Sequence, residues 1–237
     1  MIDVYTWPTP NGHKVHIMLE ELGLDYTVHP IAIGKGEQFQ EFFLKLNPNH
    51  RIPAIIDQDG PGGKPIGLFE SGAILFYLAE KIGSDLLPTA PEARYTAMQW
   101  LMFQMGGVGP MFGQANHFRS YATDEHQYSI DRYTKEAGRL LSVLNVRLGE
   151  ADYLAGGAYS IADIATFPWL RRVHRQGQDL NDFPNVKRWF DGIDARPAVQ
   201  RGCAVLAEHQ KPDNAGMTDE ERKWMFGDAQ YKAHEDA

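Results

Sequence analysis

Hydrophobic and polar positions alternate at Ile2-Asp3-Val4-Tyr5. After Thr9-Pro10-Asn11-Gly12 they switch to the three-and-four spacing of Val15, Met18, Leu19 and Leu22, and Tyr26, Val28 and Pro30 restore the alternation. A period of two marks a half-buried strand and a period near 3.6 a helix, so the chain opens strand, helix, strand. Past Gly34-Lys35-Gly36, the spacing of Phe39, Phe42, Phe43 and Leu46 predicts a short helix. Pro53-Ala54-Ile55-Ile56 and Ile66-Gly67-Leu68-Phe69 then predict strands on either side of the Gly60-Pro61-Gly62-Gly63 turn, antiparallel if that turn is tight. Ser71 is expected to cap a helix carrying Ile74, Leu75, Leu78 and Ile82, which completes a βαβαββα unit of α/β class.

The pattern breaks from Gly83 to Glu92, where Pro88 and Pro91 mark a linker. Beyond it the periodicity is helical almost throughout. A long helix through Tyr95, Met98, Leu101 and Met102 continues through Met111 and Phe112, either unbroken or interrupted around Gly106-Gly107-Val108-Gly109-Pro110. Ile130, Tyr133, Ala137, Leu140, Leu141, Leu144 and Leu148 mark the next helix, Val186 to Ile193 another, and Pro197 to about Leu206 a last one. Ser160 and Asp163 have the spacing of a capping box with Tyr159 and Ile164 as its staple, so Asp163 is read as structural. The expected organisation is an α/β domain at 1–87, an all-helical domain at 88–208 and a polar extension at 209–237. Within that extension Thr218 and Glu221 permit a short helix, either resting on the domain or part of an end without fixed structure.

Composition narrows the chemistry. Of 237 residues, 43% are hydrophobic and 23% charged, and 23 basic against 31 acidic side chains leave a net charge of -8. That sign argues against a nucleic acid or an anionic membrane as partner, while a small anionic ligand needs only a local basic pocket. Cys203 stands alone, which excludes a disulfide framework, a CxxC pair and a thiolate zinc site, and favours a reducing, cytoplasmic setting. The start at Met1 shows no secretory pattern, and no apolar run is long enough to span a membrane. His13 and His16 lack any metal-ligand pattern, so no metal is expected. Cys203, among Val199, Ala204, Val205 and Leu206, reads as a packed, inert thiol.

Four dispersed segments carry a resemblance: Thr9-Pro10-Asn11-Gly12-His13-Lys14-Val15, Arg51-Ile52-Pro53-Ala54, Phe69-Glu70-Ser71-Gly72-Ala73-Ile74 and the Ser160 helix start. In this order they resemble the cytosolic glutathione transferase superfamily, and within it the bacterial nu class of glutathione-dependent disulfide-bond oxidoreductases. The resemblance runs from Ile2 to about Leu206. It implies a thioredoxin-like first domain, an all-helical second domain and a homodimer.

The resemblance also assigns roles. Thr9 and Asn11 would donate hydrogen bonds to the glutathione sulfur, Asn11 also placing a second glutathione. Pro53 would be a cis proline presenting the Ile52 backbone to the cysteinyl part of the ligand. Glu70 would accept from the γ-glutamyl ammonium while Ser71 donates to its carboxylate. Gln38 would meet the glycyl part and Arg132 a carboxylate, with Arg51 and Lys14 adding only positive potential. From the residues alone, Thr9 and Asn11 are cap and turn residues, Ser71 a cap, Glu70 a surface acid, and Gln38 and Arg132 solvent-facing. Tyr5 matches the early tyrosine that other classes use on the thiolate, yet its strand position reads as packing.

The expected activity is reduction of small disulfides by a bound glutathione thiolate and a second glutathione, without a metal or a protein thiol. Conjugation of electrophiles, reduction of organic peroxides and glutathione binding without turnover are the alternatives.

Overall fold

The computed structural model describes residues 1–122, 126–212 and 215–232. Alternation in sequence becomes alternation in burial: in β1 (Ile2–Thr6), Ile2, Val4 and Thr6 are buried while Asp3 and Tyr5 are partly exposed. There follow α1 (Pro10–Leu22), β2 (Tyr26–Pro30), α2 (Glu41–Leu46), β3 (Ala54–Asp57), β4 (Ile66–Phe69) and α3 (Ser71–Ile82), in the βαβαββα order that the periodicity predicts. The sheet order is β2-β1-β3-β4, with β1 and β2 parallel and the other two pairs antiparallel.

Register gathers four connections. Thr6 pairs with Pro30, Tyr5 with Ala54, and Ala54 with Phe69. The segments after β1, after β2, before β3 and after β4 therefore all leave one end of the sheet. Thr9, Gln38, Ile52-Pro53 and Glu70-Ser71 lie on these four segments.

The helical half comprises α4 (Pro91–Phe103), α5 (Gly109–Asn116), α6 (Gln127–Glu150), α7 (Ile161–Leu170), α8 (Pro184–Asp194) and α9 (Pro197–Ala204), followed by α10 (Asp219–Phe226) and α11 (Ala229–Lys232). The glycine run interrupts the α-helical ladder without ending the helix. Gln104–Val108 forms a widened π turn that carries α4 into α5. Gly109 permits this because a Cβ there would lie 2.8 Å from Gln104 Nε2. Such a turn re-aims the side chains at its start.

Helix α1 is the pivot of the fold. It packs against α3, α7 and α9, and every residue from Gly12 to Leu19 is buried. One apolar core consequently runs from Ile2 and Val4 through Val15 and Met18 to Leu141, Phe167 and Val199, joining both halves. A smaller cluster of Ile31, Phe43 and Ala54, with Tyr5 against it, fills the opposite face of the sheet.

The capping box forms as expected. Ser160 Oγ accepts from Ala162 N at 3.3 Å, and the Asp163 carboxylate accepts from Ser160 N and Oγ at 2.9 Å each. Asp163 does more than cap: its Oδ1 also takes Leu154 N at 2.9 Å and Trp189 Nε1 at 2.8 Å. Burial pushes this carboxyl up from its usual range, and the hydrogen bonds pull the other way. Among the described residues no helix is long and apolar enough to cross a membrane.

Candidate functional site

The loop after β1 turns straight into α1, and Gly12 lets it do so. A Cβ on Gly12 would sit 2.2 Å from Trp7 O and 2.6 Å from Thr6 Oγ1, so only glycine allows the loop to fold back on the first helical turn. Thr9 is the N-cap, its Oγ1 accepting from Gly12 N at 3.3 Å, with Pro10 in the first helical position. A threonine hydroxyl that accepts one bond still has its O–H to donate, here beside the positive end of α1.

Asn11 is oriented from far along the chain. Trp169 Nε1 on α7 reaches its Oδ1 at 3.2 Å, and an indole N–H can only donate. That contact fixes the amide orientation and leaves both Nδ2 hydrogens as donors. Thr9 and Asn11 thus supply a hydroxyl and an amide on one half-buried helix start.

Glu70 and Ser71 occupy the second helix start, with one change from expectation. Glu70 is the N-cap of α3 and Ser71 its first residue, so Ser71 does not cap the helix. Glu70 holds φ 68°, a positive value that costs a non-glycine residue about 1–3 kcal/mol and characteristically marks functional positions. Its carboxylate is exposed, whereas Ser71 is buried and accepts at Oγ from Lys14 Nζ at 3.3 Å. Lys14 also donates to Gln104 Oε1 at 2.6 Å. This buried lysine ties the starts of α1 and α3 to the π turn, a role beyond the diffuse potential expected of it. The one warning in the sequence is a cation within a helix that is buried on every side.

The Ile52-Pro53 peptide is cis and lies directly before β3, with Pro53 buried. Gln38 is buried rather than solvent-facing. Its Nε2 lies 3.5 Å from Trp224 O, and its Oε1 has no hydrogen-bond partner among the described residues. Arg132 stands apart from this set. It is exposed on α6 and lines a surface cavity of about 570 Å³ with Tyr128, Lys135 and Arg139.

The placement of α10 is open in the sequence; in the fold the helix docks here, against the turn after β2. Its box closes through Thr218 Oγ1 accepting from Glu221 N at 3.2 Å and Glu221 accepting from Thr218 N at 2.8 Å. Trp224 then lies over the turn after β2, Arg51 donates to Gln230 Oε1 at 2.7 Å, and Phe226 meets the His117 ring with centroids 4.6 Å apart. Gly36 makes this docking possible, since it holds φ +81° and a Cβ would lie 2.6 Å from the Trp224 ring. Gly36→Ala is expected to weaken the docking by about 1–2 kcal/mol and to speed amide exchange through 219–226. Gly62→Ala, with a similar φ of +71° and nothing within 4 Å, leaves that exchange unchanged.

A rival nucleophile, Cys203, and a rival donor to the thiolate, Tyr5, both lose ground. Cys203 is buried and its thiol is pushed up to about 11 by that burial, the opposite of an activated thiolate. Tyr5 stacks on His29 at 4.7 Å and burial raises its phenol, as befits a packing residue. Among the described residues no group of three or more His, Cys, Asp or Glu side chains is placed to hold a metal ion.

Comparison with known proteins bears on this arrangement. The family model described as glutathione S-transferase, N-terminal domain, matches residues 1–80, and that described as glutathione S-transferase, C-terminal domain, matches residues 102–197. Over 207 residues the chain is 50% identical to the disulfide-bond oxidoreductase YfcG of Escherichia coli, covering 87% of this chain and 95% of that protein. It superposes with a TM-score of 0.82 on a glutathione transferase from Burkholderia graminis solved with two glutathione molecules per subunit, at 50% identity, covering 86% of this chain and 88% of that one. A glutathione transferase from Pseudomonas putida, solved with one glutathione disulfide per subunit, gives a TM-score of 0.81 at 47% identity, covering 86% and 91% of the two chains.

Proposed function

Because this chain belongs to the glutathione S-transferase superfamily, we propose that it reduces small disulfides with two molecules of glutathione. The observation that carries this reading is the convergence, at one end of the sheet, of the Thr9 hydroxyl and Asn11 amide at the start of α1 with the Glu70–Ser71 pair at the start of α3. Glutathione fits that set: Glu70 is an acceptor for its ammonium, Ser71 and the start of α3 donate to its carboxylate, and Ile52 offers backbone to its cysteinyl unit. The unpartnered Oε1 and the amide of buried Gln38 suit the glycyl end.

A thiol with pKa near 8.5 is mostly protonated at neutral pH, and lowering it by two units takes about 2.7 kcal/mol of preference for the thiolate. The Thr9 hydroxyl, the Asn11 amide and the α1 terminus supply that preference. The thiolate attacks one sulfur of the disulfide, forming a mixed disulfide and expelling the first thiolate, which takes up a proton. A second glutathione thiolate attacks the glutathionyl sulfur, expels the other half and leaves as glutathione disulfide. Two electrons pass from two glutathiones to the substrate, and no protein thiol changes state. Arg132 serves a carboxylate of a bound glutathione in this scheme, and Thr9-Pro10-Asn11 supports assignment to the nu class.

The same reading extends to organisation. The boundaries at 87 and 208, a homodimer and a cytoplasmic setting belong to it. The homodimer is supported by exposed Tyr95 and Met102 on α4 and Val146 on α6. The lone buried cysteine agrees with a reducing compartment.

Thr9→Ala and Asn11→Ala are each expected to lower kcat/KM for a small disulfide by at least about tenfold, the effect of removing roughly 1.4 kcal/mol of selective transition-state stabilisation. Glutathione affinity and urea midpoints, measured in parallel, separate this from a loss of the helix cap. Assays with a small disulfide, an organic peroxide and an aryl halide complete the test. A much larger kcat/KM for the halide or the peroxide would displace disulfide reduction as the main activity.

A further inference from the structure

Lys14 is 1% exposed, and among the described residues no carboxylate contacts its ammonium. The groups it contacts are neutral: Gln104 Oε1 at 2.6 Å, Ser71 Oγ at 3.3 Å and Met105 Sδ at 3.4 Å. A buried cation without a contacting anion is costly, and packing alone would be served as well by a methionine. Burial pulls the ammonium down to about 7, and the exposed Glu70 carboxylate acts in the opposite direction. What this cation lacks is a negative charge on the side of Ser71.

Ser71 shows where that charge belongs. A lysine N–H donates to its oxygen, so its own O–H must point elsewhere, and the contact it makes within the chain is a weak one to Met105 Sδ at 3.7 Å. The hydroxyl is thus turned away from Lys14 and held without a strong acceptor, at the first position of α3 where backbone N–H groups also face outward. Gln104 keeps the lysine in place. Its carbonyl oxygen must face the ammonium, its Nε2 has no partner among the described residues, and the π turn aims it inward.

We propose that Lys14 is the positioning residue of the γ-glutamyl carboxylate subsite, acting through Ser71 and anchored by Gln104 from the helical half. The proposal rests on the glutathione reading above. In it, Lys14 fixes the Ser71 hydroxyl as a donor to the ligand carboxylate, and that carboxylate supplies the negative charge the buried ammonium lacks. The carboxylate subsite is then shared between the two halves of the chain, through α1, α3 and the π turn.

The test compares two probes by titration calorimetry on the full-length protein: glutathione, and 4-aminobutanoyl-cysteinylglycine, which lacks only the γ-glutamyl carboxylate. Lys14→Met is expected to weaken glutathione by about tenfold or more and to leave the truncated probe within about twofold. In a Ser71→Ala background the same substitution should cause no further loss for glutathione beyond about twofold, because the two side chains act as one unit. Lys14→Gln, measured the same way, gives this pattern should the methionine variant fail to fold. Equal losses for both probes would reduce Lys14 to a packing role and overturn the proposal, as would unchanged glutathione affinity or independent effects of Lys14 and Ser71. A wild-type protein that binds neither probe would instead overturn the glutathione reading on which the proposal stands.

Discussion

Asp163→Ala is expected to lower the free energy of unfolding by about 3–5 kcal/mol, a large share of the 5–15 kcal/mol typical of a folded domain. The carboxylate is fully buried and accepts from Leu154 N, Ser160 N, Ser160 Oγ and Trp189 Nε1. Alanine leaves those donors in an apolar interior at about 1–3 kcal/mol each, relieved only where the structure can relax. Asp163→Asn keeps one acceptor oxygen and should fall between alanine and wild type. Urea denaturation followed by tryptophan fluorescence measures both. A loss below about 1 kcal/mol for the alanine variant would mean that the α7 start is held by something other than this carboxylate.

Mild acid should destabilise the protein through two buried histidines. Burial depresses His13 to about 3 and His16 to about 4, against 6.5 for an ordinary histidine. Both face the core from α1, His16 Nε2 lying 3.0 Å from Thr6 Oγ1 and the two rings 5.9 Å apart. The folded chain keeps these rings neutral while the unfolded chain protonates them. Stability is therefore complete above about pH 6.5 and falls as pH drops toward the folded values. At pH 5 each ring contributes a loss of about 2 kcal/mol, or about 4 kcal/mol together. Asp57 and Glu20 are held below their usual ranges, so their contributions are lost only at lower pH. Urea midpoints at pH 7.5 and pH 5 test this directly. A His13→Gln, His16→Gln double variant should flatten the profile, and equal wild-type stability at the two pH values would contradict the assignment.

Local order was legible because local rules govern it. Alternation located β1 and β2, apolar segments flanking a glycine-rich turn located β3 and β4, three-and-four spacing located α1, α3, α6 and α8, and the Ser160–Asp163 spacing foretold a box that forms as drawn. Departures arose where a particular backbone geometry or a distant segment decides. Gly106 to Gly109 left the helix's continuity open, and with Gln104 packed against Gly109 the interruption takes the form of a π turn. Ser71 had the chemistry of a cap, but the positive φ of Glu70 moves the helix start by one residue. No local pattern could bring Trp169 to Asn11 across 158 positions or Gln104 to Lys14 across 90. The docking of α10 depends likewise on a turn nearly two hundred residues earlier in the chain. Family resemblance named the residues of the candidate site; the fold adds what orients them.

In the proposed mechanism the reacting sulfur belongs to bound glutathione and the protein's own thiol takes no part. Cys203, buried and raised to about 11, is the one side chain able to contradict it. The decisive measurement is kcat/KM for reduction of a small disulfide by glutathione, compared between wild type and Cys203→Ser at neutral pH. Values within about twofold of each other are expected, and a loss of about tenfold or more in a folded variant would place the chemistry on the protein cysteine instead.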